Sequence, residues 1–192
     1  MNDILAGNFA PGGWQLWPHE VIRVINWNID RGLRLPEITE FLASQQADIL
    51  VLQEVDLNAR RTHRLNIAEE LARKLQMNYV FGREFQELTQ GSRTSPAYHG
   101  QATLSRWRLA SPRVIRFRCQ SGFWRPRWFL PRMEPFQERL GGRISLITEV
   151  NIAANTLMVY NLHLESRGND AIRLCQLREV LQDAGRYVPR VT

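Results

Sequence analysis

The chain has 192 residues, 44% of them hydrophobic, which suffices for one domain burying about 70% of the surface its unfolded chain exposes. No run reaches the length and apolarity of a membrane span, and the first twenty residues lack the basic-then-apolar layout of a signal peptide, so the expectation is a soluble, cytoplasmic protein. The net charge of +6 is concentrated rather than spread: residues 106–143 hold ten arginines against Glu134 and Glu138, and the rest of the chain is net acidic. Arginine supplies all but one of the basic residues, Lys74 being the exception.

In chain order, residues 1–19 read as an N-terminal extension, followed by a strand over 20–29 rich in β-branched residues. A helix is expected over 35–46, with Pro36 suited to its first turn, and a second strand over 47–56. Residues 64–76 carry Leu65, Ala68, Leu71, Ala72 and Leu75 at helical spacing. A short strand over 78–82 precedes a polar loop, 83–98, and strands follow at 99–105 and about 113–119. Residues 121–142 read as a surface excursion whose prolines argue against a central strand. A hairpin over 142–152 and 155–166 leads into a helix over 169–185, capped by Asn169 or Asp170. Cys119 and Cys175 lie far apart without metal-ligand spacing, and reduced thiols without chemistry are expected.

Strand parity singles out a cluster. Side chains alternate faces, so Ile22 and Val24 share a face with Asn26 and Asn28, Leu50 and Leu52 with Glu54, and Leu157 and Val159 with Asn161 and His163. Three core-like strands thus end in polar groups. One such group at a strand end commonly just meets solvent; three together suggest a site, since buried polar groups are costly unless paired. Asn28 and Glu54 offer hard oxygens suited to Mg²⁺ or Mn²⁺, and His163 can donate to a phosphate or transfer a proton.

The segments RVINWNIDRG, ADILVLQEVD, YHGQATLSRWRL and MVYNLHLESRG resemble, in order, the first four sequence blocks of the endonuclease/exonuclease/phosphatase superfamily, the deoxyribonuclease I-like metal-dependent phosphoesterases. The resemblance spans about residues 20–188 and implies an α+β fold, a layered α/β sandwich of two packed mixed sheets flanked by helices. It implies that Asn28 orients the scissile phosphate or a catalytic residue, that Glu54 binds the divalent metal with Asp30 as a further contact, and that His163 contacts the phosphate and assists proton transfer. His99 and Gln101 fall in a block usually written Gly-Asn-Ala-Ile-Leu-Ser and are candidate phosphate contacts with Asn161; Gln101 replaces the family's asparagine. Arg61, in the basic run just after Glu54, is a further candidate for the anionic substrate, or simply a solvated charge at a helix flank.

The family's later Gly-Asp-x-Asn and Ser-Asp-His blocks do not occur in the 192 residues. The expectation is therefore a single domain, 1–192, corresponding to the N-terminal two-thirds of the fold. Turnover should be low and isolated solubility poor. The expected function is Mg²⁺-dependent hydrolysis of a phosphodiester, nucleic acid ahead of a phospholipid or sugar phosphate; the alternative is a non-catalytic phosphate-binding or interaction module. The aromatic and basic residues of 121–132 fit nucleic acid, a membrane surface, or a loop whose aromatics cap the core.

Overall fold

A computed structural model describes residues 3–12, 21–131 and 136–187. The first residue of the strand expected from 20, Arg132 of the excursion and residues 188–192 lie outside them. Nine strands and three helices follow in the order β1 (Ile4–Gly7), β2 (Val24–Arg31), α1 (Leu35–Gln45), β3 (Ile49–Leu57), α2 (Ile67–Leu75), β4 (Asn78–Glu87), β5 (Ala97–Ser105), β6 (Arg108–Arg116), β7 (Arg139–Gly141), β8 (Ile144–Ile152), β9 (Asn155–Leu162) and α3 (Asp170–Ala184). The larger sheet runs β1-β4-β5-β3-β2 with β7 on the far end of β4, and the smaller runs β6-β8-β9. Among the described residues only the β2–β3 pair is parallel, so the first sheet is mixed as expected and the second is antiparallel throughout.

The helices form where the sequence supplies ends for them. Pro36 sits in the first turn of α1; the side chains of Asn66 and Asn169 accept from the N–H groups of Glu69 and Ile172 at the starts of α2 and α3. Ile38 and Leu42 of α1 and Ile67 and Leu71 of α2 bury against Leu50, Leu52, Phe81 and Leu104 of the larger sheet. Each such side chain contributes about 1.5–3 kcal/mol by leaving water. A smaller core of Ile49, Val51, Trp107, Val150 and Ile152 joins the two sheets. On the outer face of the smaller sheet, α3 is held by Asp183, which accepts from Tyr160 of β9 and pairs with Arg113 of β6.

Several elements depart from the sequence reading. Ile4–Gly7, expected in an extension, pairs antiparallel with β4 as an edge strand. The loop expected from 83 is strand through Glu87, because the charged Glu84 and Glu87 are buried against Arg143, Arg61 and Arg139. Strand β6 starts at Arg108 rather than 113; Pro112 is tolerated there because it occupies a bulge in an edge strand. Part of the excursion, Arg139–Gly141, adds a strand to β4. Cys119 and Cys175 are not free thiols. They form a disulfide with Cα atoms 6.1 Å apart, since the fold lays α3 beside the chain leaving β6.

The face of β2 that carries Asn26 and Asn28 is not a core face. Ile22 and Val24 are exposed, because β2 is an edge strand whose face toward the smaller sheet is uncovered; the buried face of β2 carries Ile25, Trp27 and Ile29.

Candidate active site

Two bulges build the site. By simple alternation Glu54 follows Leu50 and Leu52 toward the helices, whereas Asn26 and Asn28 face the second sheet. The register of β3 shifts between Leu52 and Val55, and Glu54 adopts a left-handed backbone with φ of 54°. Val55 then returns to the helix-side core and Glu54 is re-aimed. In β2 the register shifts between Asn28 and Arg31, where Asp30, Arg31 and Gly32 all have positive φ. A side chain on Gly32 would lie 2.6 Å from Ile67, so the turn after Asn28 requires glycine for space as well as conformation.

These distortions bring Asn28 Nδ2 to 2.9 Å from Glu54 Oε1, while Asn28 Oδ1 accepts from the Asp30 N–H at 3.1 Å. One amide thus uses its donor and its acceptor at once, which neither valine nor aspartate could do. Burial pushes the Glu54 carboxyl up, but the Asn28 hydrogen bond, the imidazoles of His99 and His163 wherever they carry a proton, and the Arg31 guanidinium outweigh it and hold the group below the usual carboxylate range. Glu54 is therefore a half-buried, ionised oxygen donor.

His163 lies in the same field. Its Nδ1 is 3.2 Å from Arg143 Nη1. Because a guanidinium only donates, Nδ1 must accept, which leaves the proton on Nε2. Burial and the neighbouring Arg143 push its pKa down to about 4 despite Glu54, so His163 is a neutral hydrogen-bond donor at neutral pH. Arg143 is buried and also binds Glu84 Oε1 at 2.8 Å and Ser166 at 3.0 Å. Burial pushes the Glu84 carboxyl up against the opposing charge of Arg143.

A second buried group lies beneath. His99 Nδ1 is 3.0 Å from Asp56 Oδ1, and His99 Nε2 has no partner among the described residues. Arg61 grips Asp56 through Nε at 2.7 Å and Nη2 at 2.8 Å and also reaches Glu87. Burial pushes the Asp56 carboxyl up, but His99 and Arg61 more than reverse it and hold the group ionised.

The fold thus gathers Asn28, Glu54, His163 and His99, keeps Asp30 beside Asn28, and commits Arg61, Asn161 and Gln101 to internal partners. Asp30 is exposed and its carboxylate pairs with Arg31 at 2.6 Å. Arg61 is committed to Asp56 and Glu87, an internal brace in place of the expected phosphate contact. Asn161 is wholly buried between the sheets, giving both amide hydrogens to the carbonyls of Leu52 and Ala102 and accepting from Gln53, so no donor remains for a phosphate. Gln101, also buried, donates to the carbonyl of Ile144. Arg143, Asp56, Gln53 and Glu84 escaped the sequence reading. Arg143 had a signal: a lone cation opening an otherwise apolar strand in GGRISLI. Among the described residues, the His, Cys, Asp and Glu side chains close enough for three to share one ion are Cys119, Cys175 and Glu179, away from Glu54 and with both sulfurs in the disulfide.

The profile of the Endonuclease/Exonuclease/phosphatase family matches residues 25–184. Comparison with curated proteins finds no match. Among solved structures, an endonuclease/exonuclease/phosphatase from Beutenbergia cavernae DSM 12333 superposes with a TM-score of 0.56 at 18% identity, over 84% of this chain and 43% of that one. A family protein from Leptotrichia buccalis C-1013-b gives 0.55 at 14% identity, over 85% and 63%. D. rerio TDP2 complexed with a single-strand DNA product gives 0.52 at 21%, over 88% and 56%. The chain therefore spans between about two-fifths and two-thirds of the length of these proteins, and at such identities the likeness speaks for the fold. With the profile matched across most of its length and the layered sandwich in place, the chain belongs to the endonuclease/exonuclease/phosphatase family.

Proposed function

We propose that this chain carries the metal-binding and part of the phosphate-binding half of a divalent-metal-dependent phosphodiesterase. The observation that carries the reading is the Asn28–Glu54 pair, two adjacent bulges spent on aiming one ionised carboxylate. The donor set suits Mg²⁺ or Mn²⁺: a hard oxygen with no thiolate beside it, in keeping with Mg²⁺ sites that use one or two carboxylates and complete their shell with water and substrate phosphate. When bound at Glu54, such an ion supplies a Lewis acid for the phosphoryl oxygen. Asn28 fixes the carboxylate's orientation. His163, its tautomer set by Arg143, presents Nε2–H as a donor to a phosphate oxygen, stabilising charge as it develops. With Nδ1 accepting from Arg143 and the proton on Nε2, the ring has no free lone pair to take a proton from water, so activation of water falls to another group.

The 192 residues contain neither Gly-Asp-x-Asn nor Ser-Asp-His, and slow turnover is expected from them alone. The second reading is a phosphate-binding module without hydrolysis. The test is Mg²⁺-dependent hydrolysis of bis(p-nitrophenyl) phosphate by the longest polypeptide the reading frame encodes. Glu54→Ala and Asn28→Ala should each abolish metal-dependent turnover in proteins that still unfold cooperatively; near wild-type rates in both would sink the assignment. Phosphate binding with no turnover in the parent protein would select the second reading.

A further inference from the structure

The arginine-rich excursion separates into a root and a tip. Its root is fixed: Trp124 is buried, with its ring 4.7 Å from Phe85 and its indole N–H donating to Glu165. Gln137 clamps the next turn, accepting from the Arg127 N–H and donating to the Arg125 carbonyl. The aromatic residues of the tip are exposed. Trp128 is 95% exposed and Phe129 64%, their rings edge to face at 5.9 Å. Capping of the core therefore accounts for Trp124 and leaves Trp128 and Phe129 without a role. Around them, Arg127 and Arg167 both lie over the Phe123 ring, at 5.4 and 4.4 Å. No carboxylate forms an ion pair with Arg125, Arg127 or Arg167 among the described residues.

The root also connects to the candidate active site. Arg143, which orients His163, lies 5.7 Å from the Trp124 ring, and Arg167 follows His163 by four residues. We propose that residues 121–131 with Arg167 form a platform for an unpaired nucleic-acid strand: Trp128 and Phe129 stack on its bases while Arg125, Arg127 and Arg167 meet its phosphates. Exposed rings among unpaired guanidiniums provide both contacts that single strands offer, whereas a duplex hides the faces of its bases. A membrane surface would also accept aromatics and arginines, but it gives no reason for the loop's root to be tied to the residue beside His163. The proposal rests on the phosphoesterase reading for the direction of the strand, and binding itself needs no turnover.

The test uses the full chain in EDTA, with fluorescence anisotropy of a labelled oligothymidylate, an abasic strand of equal length and vesicles of phosphatidylglycerol. The oligothymidylate should bind more tightly than the abasic strand. Trp128→Ala with Phe129→Ala should weaken it about tenfold or more, and Arg125→Ala with Arg127→Ala should flatten its salt dependence. Trp128, Phe129 and Arg125 are exposed and Arg127 is partly exposed, so folding is not at stake. Equal affinity for the two strands, or an unchanged affinity in the aromatic variant, overturns the platform. Vesicle binding that the aromatic variant loses, with no affinity for the oligothymidylate, assigns the loop to a membrane instead. Binding without any hydrolysis by the longest reading-frame product would overturn the phosphoesterase reading alone.

Discussion

His163 and Arg143 show how one contact sets both chemistry and stability. His163 takes a proton near 6.5 when unfolded but only near 4 when folded, so between those values the unfolded state binds more protons. Its contribution is present above about 6.5 and is lost as pH falls toward 4. The thermal midpoint should therefore drop across that window in the parent protein, and His163→Gln should show a shallower fall in the same scan. Arg143→Ala leaves Glu84 buried without its counter-charge and should cost about 3–5 kcal/mol in urea unfolding. Replacing Arg143 and Glu84 together with methionine should recover most of that loss, because no stranded charge remains.

At the scale of elements, α3 is tied to the body by polar and covalent contacts more than by apolar burial. Glu179 accepts from the N–H groups of Arg118 and Cys119; Gln176 bridges the Cys119 carbonyl and the Glu165 N–H; the disulfide closes between them. Leu174, Leu177 and Leu181 on the same helix are exposed. Cross-linking residues 56 apart restricts the unfolded chain by about 4 kcal/mol in the loop-entropy account. Reduction, or Cys119→Ser with Cys175→Ser, should lower stability by up to that amount and speed amide exchange selectively across 170–184, as read by mass spectrometry.

Across the whole molecule, the helix-side core is closed while the flank bearing β2 and β9 is open. Both are edge strands, Val21, Ile22 and Val24 are exposed near the start of β2, and Leu157 is exposed on β9. Open edges beside apolar side chains template association. The isolated chain should self-associate at moderate concentration, and Val24→Lys with Leu157→Lys should reduce light scattering without altering the circular dichroism spectrum. A parent protein that stays monomeric would show that this flank is adequately protected.

The residues singled out in the local sequence, Asn28, Glu54 and His163, lie near one another in the fold: Asn28 donates to Glu54, and Glu54 and His163 feel each other's charge. The helices were equally legible, their caps and periodic apolar residues lying within a few positions of one another. The tertiary structure alone decided which face each strand presents. Bulges break the period of two, so Glu54 joined Asn28 against the parity that should have separated them. It also decided that Arg61, Asn161 and Gln101 satisfy buried partners, and that Cys119 meets Cys175. Apart from Arg61 with Asp56, five positions away, those outcomes depend on contacts between residues 26 to 109 positions apart, and no local spacing encodes them.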